Sequence, residues 1–178
     1  MARDADPLEE IFPLLSALEE KGLQPVLVGG MALVVLGSQR VTKDFDFLVS
    51  STDLSRDLVG VIYRQGYQFV TKLNKAGEVV RTIDKLTIAD ARLKMDKPRS
   101  VFFYNWKTGL RVDLLLDFPL PTRDIADRAA KIGKRPRTLR VAAPEDLLRL
   151  KEIAYADRKS AADAQDLEFL RNLLKTRS

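Results

Sequence analysis

The sequence predicts an α/β (α+β) fold, a mixed β-sheet flanked by helices with an α-helical hairpin at its C-terminal end. Three observations carry that reading. Residues 25–65 pass from an apolar run to helical spacing and back, in the order strand, helix, strand, helix. Residues 100–117 hold two β-rich runs around Lys107-Thr108-Gly109, a hairpin signal. After Pro144 the apolar residues recur at helical intervals in two successive stretches. The 178 residues suffice to bury a substantial core. We read 1–178 as one domain, with an α/β body and N-terminal helix over 1–142 and a helical appendage over 143–178.

Each element has a local reason. Asp6 before Pro7 reads as an N-cap with proline at the first helical position. Leu8, Ile11, Phe12, Leu15 and Leu18 then share a face, and Gly22 supplies the stop. Pro13 interrupts that pattern and marks either the true helix start or a kink. Residues 25–28 read as a buried strand, and 30–37 as a short helix with no polar face, which the fold must enclose. Residues 44–49 alternate polar and apolar before turning fully apolar, as a strand does on leaving a rim for a core. Ser51, Thr52 and Asp53 offer caps for a helix over 53–65 that Gly66 ends.

A short strand is placed at 67–70, and a helix at 82–95 within a stretch rich in charge and weak in periodicity. The 100–117 hairpin follows, Pro119 and Pro121 end it, and Thr122 caps a helix to about Ile132. A basic loop and a short strand over 139–142 come next. In the terminal hairpin, Leu147, Leu148, Leu150 and Ile153 face the core from one helix. Ser160 caps a second, with Leu167, Leu170, Leu173 and Leu174 as its stripe.

Composition narrows the chemistry. The chain has no cysteine and no histidine, which removes disulfides, thiolate nucleophiles, Ser-His-Asp catalysis and histidine-bound zinc. Chemistry must use carboxylates, Lys, Arg, Tyr, Ser or Thr, and any metal must be a hard ion held by oxygen. The formal charge is +5, and residues 131–140 hold five basic residues and no acid. Such a run suits RNA, DNA or another polyanion, and equally a solvated connecting loop. The first residues are too acidic for a signal or transit peptide. The longest uncharged apolar run, 25–37, is broken by two glycines and falls short of a membrane span. The expected location is the cytoplasm.

The candidate site begins with acids. In a strand, residues two apart point to one face, so Asp44 and Asp46 project together. Two adjacent carboxylates repel unless a cation lies between them or one holds a proton. Magnesium bridging them and a triphosphate resolves that repulsion, and a second ion completes a two-metal clamp for in-line displacement at phosphorus. Asp113 sits among apolar residues, where an unpaired carboxylate is expensive. Two readings are open for it: a third carboxylate that ligates a metal and takes a proton, or a salt bridge with Arg111, its same-face neighbour. Asp117 reads as a solvated strand end.

Gly29-Gly30, between strand and helix, lets a phosphate approach backbone N–H groups, or simply makes a tight turn. It is neither a Walker A loop nor a dinucleotide fingerprint. Arg40 can neutralise triphosphate charge or pair with Asp44 or Asp46, and Thr42 can hydrogen-bond the loop or a phosphate.

Together Gly29-Gly30, Asp44-x-Asp46 and Asp113 in a later strand resemble the DNA polymerase β-like nucleotidyltransferase superfamily. The finer pattern Gly-Gly-x-Ala with Gly37-x-x-Arg40-x-Thr42-x-Asp44-x-Asp46 looks like its AbiEii-type branch, which includes toxins of toxin–antitoxin systems. Pro144-Glu-Asp-Leu-Leu-Arg-Leu-Lys151 followed by Ala154, Arg158, Asp163 and Asp166-Leu167 resembles that branch's C-terminal helical motif.

The resemblance spans about 25–170 and implies a nucleotidyltransferase-like fold that moves an NMP from an NTP to an acceptor hydroxyl and releases pyrophosphate. It implies Gly29 and Gly30 at the triphosphate, and Asp44, Asp46 and Asp113 on magnesium (or manganese). It also implies Lys151 at phosphate or substrate, and Asp163 with Asp166 on the far wall. Met31 departs from the superfamily pattern, which has serine after the glycines. Acceptors compatible with this reading are an RNA 3′ end such as tRNA, a protein side chain, or a small molecule such as an aminoglycoside. A toxin role implies a separate antitoxin. The rival reading is a nucleotide- or RNA-binding protein of the same fold without turnover.

Overall fold

Strands whose residues are apolar on both faces belong at the centre of a sheet, and here the centre is formed by β2 (Asp44–Val49) and β6 (Arg111–Leu116). The computed structural model describes residues 5–178. The acidic start read against a leader sequence falls largely on residues 1–4, outside the described residues. The other strands are β1 (Val26–Val28), β3 (Gln68–Leu73), β4 (Val79–Ile83), β5 (Ser100–Tyr104), β7 (Ala130–Lys134) and β8 (Arg137–Val141). They form one eight-stranded sheet in the order β4-β3-β5-β6-β2-β1-β8-β7. The sheet is mixed: β2 runs parallel to β6 and β1 parallel to β8, while the other neighbours are antiparallel.

Among the described residues, seven helices flank it: α1 (Pro7–Glu20), α2 (Gly29–Val35), α3 (Arg56–Arg64), α4 (Leu86–Asp96), α5 (Thr122–Ala126), α6 (Pro144–Arg158) and α7 (Ala161–Arg177). Phe45, Phe47, Val101, Phe103, Val112 and Leu114 share one sheet face by register and are all buried. They join Ile11, Leu14 and Leu18 of α1 and Leu58 and Ile62 of α3 in one core. Each such side chain contributes roughly 1.5–3 kcal/mol. The opposite face of the same strands carries Asp44, Asp46, Arg111, Asp113, Phe102 and Tyr104.

The N-terminal cap holds: Asp6 accepts a hydrogen bond from the Leu8 amide at 3.0 Å, and the helix begins at Pro7. Pro13 lies inside α1 rather than at its start. The cap of α3 is Ser55, not Ser51, Thr52 or Asp53, because those three close a 3₁₀ turn of their own.

Three sequence expectations are corrected. The stretch placed in a helix from 82 begins instead as β4, joined to β3 by a turn whose Asn74 side chain accepts from the Ala76 and Glu78 amides at 2.9 Å. Edge strands with half-exposed side chains lack the clean alternation that reveals a strand. The helix from Thr122 stops at Ala126, and the expected basic loop is the β7–β8 hairpin. Its charges face α1: Lys131 and Arg135 reach Glu19, and Arg137 reaches Glu9. Ile153 is exposed, whereas Leu147, Leu167 and Leu170 are buried and Leu148, Leu150, Leu173 and Leu174 partly so. Among the described residues, no helix is long and apolar enough to cross a membrane.

Candidate active site

The parallel pairing of β2 with β6 puts Asp46 directly opposite Asp113 and Asp44 opposite Arg111. Asp44 is exposed at the mouth, Asp46 is half-buried and Asp113 is buried. Of the two readings of Asp113, the salt bridge with Arg111 is formed. Arg111 grips it with Nε at 2.8 Å and the second guanidinium arm at 3.2 Å, while lying over the Phe102 ring at 4.4 Å. The register partner of Asp113 on β2 is Asp46.

Burial pushes the Asp113 carboxyl up to about 7; Arg111 opposes that rise and the charge of Asp46 adds to it. Burial also raises Asp46, with Asp113 and the more distant Lys151 and Arg111 pulling it down and Asp44 pushing it up. Three carboxylates thus share one guanidinium, a local shortage of positive charge. The donors are all hard oxygens, so the set fits a divalent cation such as magnesium or manganese. Among the described residues, no three acids converge closely enough to be a ready-made metal cluster. Asp44 stands apart and Asp113 is turned to Arg111.

The glycines have specific neighbours. Gly29 has φ +67°, and a Cβ there would overlap Asp46 Oδ2. A Cβ on Gly30 would sit 2.8 Å from Arg40 Cζ. The turn therefore seats a metal-candidate carboxylate on one glycine and a guanidinium on the next.

Arg40 pairs with Asp166, not with Asp44 or Asp46. From α6, Lys151 reaches Asp166 at 2.8 Å and Asp163 at 3.2 Å, and Arg158 reaches Asp163 at 3.1 Å. Burial alone would lift Asp163, but hydrogen bonds from Ser160 and Lys151, with the charges of Lys151 and Arg158, hold it below the usual carboxylate range. Lys151 and the two aspartates are largely buried. This network ties the α6–α7 hairpin to the loop leading into β2. Thr42 lies half-buried on that loop and makes no side-chain hydrogen bond among the described residues.

The family model for the nucleotidyl transferase AbiEii toxin of type IV toxin–antitoxin systems matches residues 14–176. The chain belongs to that family. It is a nucleotidyltransferase with the polymerase β-like fold. Three solved structures share this fold. The lincomycin-bound lincosamide adenylyltransferase LnuA is 13% identical with TM-score 0.56, covering 92% of this chain and 95% of that one. The antibiotic-resistance factor ANT(2″)-Ia in solution is 12% identical with TM-score 0.63, over 97% and 86%. A nucleotidyltransferase-like antigen from Paracoccidioides brasiliensis is 17% identical with TM-score 0.58, over 95% and 77%. A comparison with curated protein sequences gave no match.

Within this AbiEii-family chain, Met31 is buried in the core, so the position after the two glycines serves packing. Asp117 is not merely solvated: its carboxylate accepts from the Ser51 amide and hydroxyl at 2.8 Å and from the Thr122 amide at 3.0 Å. Asp146 is fully buried under a two-pronged Arg128 contact at 2.7 and 2.9 Å, which pins the start of α6. Beyond its place in the C-terminal helical motif, the sequence assigns Asp146 no role. Its position two residues after Pro144, in a helix first turn, was the available signal.

Proposed function

We propose that the chain, with magnesium or manganese, transfers a nucleoside monophosphate from a nucleoside triphosphate to an acceptor hydroxyl and releases pyrophosphate. The observation that carries this is the Asp46–Asp113 pair, facing across two strands with too little positive charge to balance it. Asp44, Asp46 and Asp113 would hold the cations, which when bound neutralise triphosphate charge. Asp113, buried and opposite Asp46, accepts the proton of the acceptor hydroxyl. The hydroxyl oxygen bonds to the α-phosphorus as the bond to the bridging α–β oxygen breaks. Gly29 and Gly30 admit the phosphates, and Thr42 faces them from the loop. Arg40 and Lys151 supply positive charge, held in place by Asp163 and Asp166. Body (1–142) and appendage (143–178) thus act as one domain across a shared nucleotide.

The acceptor proposed is an RNA 3′ end such as that of tRNA, in the cytoplasm, with a dedicated antitoxin protein restraining the enzyme. The family's type IV toxin–antitoxin setting supports the last point. The test is incubation with each α-labelled ribonucleoside triphosphate, magnesium, total RNA and lysate. RNA should take up label, and Asp44→Ala should abolish it. Label on a protein, a lincosamide or an aminoglycoside would replace the RNA acceptor, and nucleotide binding without transfer anywhere would leave only the binding-protein reading.

A further inference from the structure

Helix α2 packs on β2 with α6 and α7 against it, and on the other side of the carboxylates the sheet continues through β5 and β3. There, one register row runs Gln68–Tyr104–Arg111–Asp44 across β3, β5, β6 and β2. The next row runs Phe102–Asp113–Asp46. Phe102 and Tyr104 are half-exposed on this face, and Trp106, in the turn into β6, is 53% exposed.

An exposed tryptophan is ordinarily free to move, but this one is fixed. Its indole N–H donates to Thr82 Oγ1 at 2.9 Å, and the Thr82 hydroxyl donates to Gln68 Oε1 at 2.6 Å. Tyr104 meets it edge-on, with ring centroids 5.0 Å apart. Arg111 Cζ sits 4.4 Å from the Phe102 ring centroid while its Nε holds Asp113 at 2.8 Å. Rigid, solvent-facing rings with a stacked guanidinium make a surface for another flat ring. Two strand spacings, roughly 10 Å, separate β5 from β2, a span that one terminal nucleotide crosses.

The charges select the ligand. Strands β3, β4 and β5 and the turn 105–110 contain no acidic residue, and Lys107, next to Trp106, is exposed. That surface attracts a polyanion and repels a polyamine. We propose that Phe102, Tyr104 and Trp106 are the acceptor platform, on which a base of single-stranded nucleic acid stacks to bring its 3′-hydroxyl to Asp113. The delivery to Asp113 rests on the transfer reading above; the stacking does not.

Trp106 is the chain's only tryptophan, so its fluorescence reports the platform without catalysis. Titrating the full chain, without metal or nucleotide, with a single-stranded RNA oligonucleotide and a DNA oligonucleotide of the same sequence should quench that emission. Anisotropy with a labelled oligonucleotide should show Trp106→Ala weakening binding roughly tenfold or more, with Trp106→Phe keeping most of the affinity. In the transfer assay the acceptor KM should rise by the same factor in Trp106→Ala. Quenching by both oligonucleotides with transfer to RNA alone makes the acceptor RNA; transfer to both makes it any 3′-hydroxyl end. The platform is overturned if neither oligonucleotide quenches Trp106, or if Trp106→Ala, with an unchanged melting temperature, binds and transfers like the parent. Quenching without transfer to any acceptor would sink the transfer reading and leave the platform standing.

Discussion

Two clusters of aspartates, one on the sheet and one on the helical hairpin, have their charges balanced in opposite ways. On the sheet, Asp44, Asp46 and Asp113 share Arg111, and burial lifts Asp46 and Asp113 above the ordinary carboxylate range. On the helical hairpin, Asp163 and Asp166 are met by Lys151, Arg40 and Arg158, and Asp163 is held below that range. The residue type is the same and each cluster contains a buried aspartate, so the difference follows the count of cations. A cluster short of positive charge awaits a cation; one with an excess holds itself and has charge to spare for phosphate.

Removing one charged group from each cluster should therefore have opposite effects on stability. Asp113→Asn is expected to lower transfer by roughly 10²–10⁴-fold, while the metal-free protein melts at an equal or higher temperature near pH 8. In the balanced cluster, Lys151→Met leaves Asp163 and Asp166 with only the flanking arginines. Breaking a buried ion pair costs about 3–5 kcal/mol, and Arg40 and Arg158 bring the expected loss toward the low end. Urea unfolding of both variants at one pH measures this. Equal destabilisation by the two would erase the distinction between the clusters.

The same difference gives the metal-free enzyme an inverted pH response. Folded Asp113 keeps its proton to about 7, whereas the unfolded chain releases it near 4. Between those values the folded state binds more protons, so stability falls as pH rises. Melting with a chelator at pH 5 and pH 8 should show a loss of a few degrees at the higher value, reversed by magnesium and absent in Asp113→Asn. A flat profile in the parent would mean that Arg111 alone satisfies the pair.

How much of this was legible in the chain differs by element. The order β1-α2-β2-α3 and the β5–β6 hairpin were readable because their strands alternate cleanly or are wholly apolar. Asp44, Asp46 and Asp113 could be grouped because a two-residue period fixes their face. Edge strands β4 and β7 were not readable: their residues are half-exposed, and their stability comes from pairing with β3 and β8. The partner of Arg40 was equally hidden. Asp166 lies 126 positions away, and nothing local to either residue encodes that contact. The hairpin within the basic run 131–140 was hidden too, because three of its charges meet Glu9 and Glu19 on the first helix, far away in the sequence.

The smallest expected effect belongs to a fourth aspartate, just past the end of the strand that carries Asp113. Asp117 is only lightly covered, yet three donors from Ser51 and Thr122 converge on it and bring its carboxyl down to about 2. Its folded value lies below its unfolded one. The stabilisation is therefore complete above about pH 4 and is lost as pH falls toward 2. Asn at this position tolerates the φ of +50° found here, so Asp117→Asn removes charge with little backbone strain. Partial exposure discounts the shift, and we expect a loss of about 1 kcal/mol at pH 7 that shrinks to nothing by pH 2, with transfer unchanged. Thermal melts from pH 2 to 7 decide it. A loss that persists undiminished at pH 2 would make the contribution of Asp117 one of shape, and the contrast with Asp113 would no longer be one of charge.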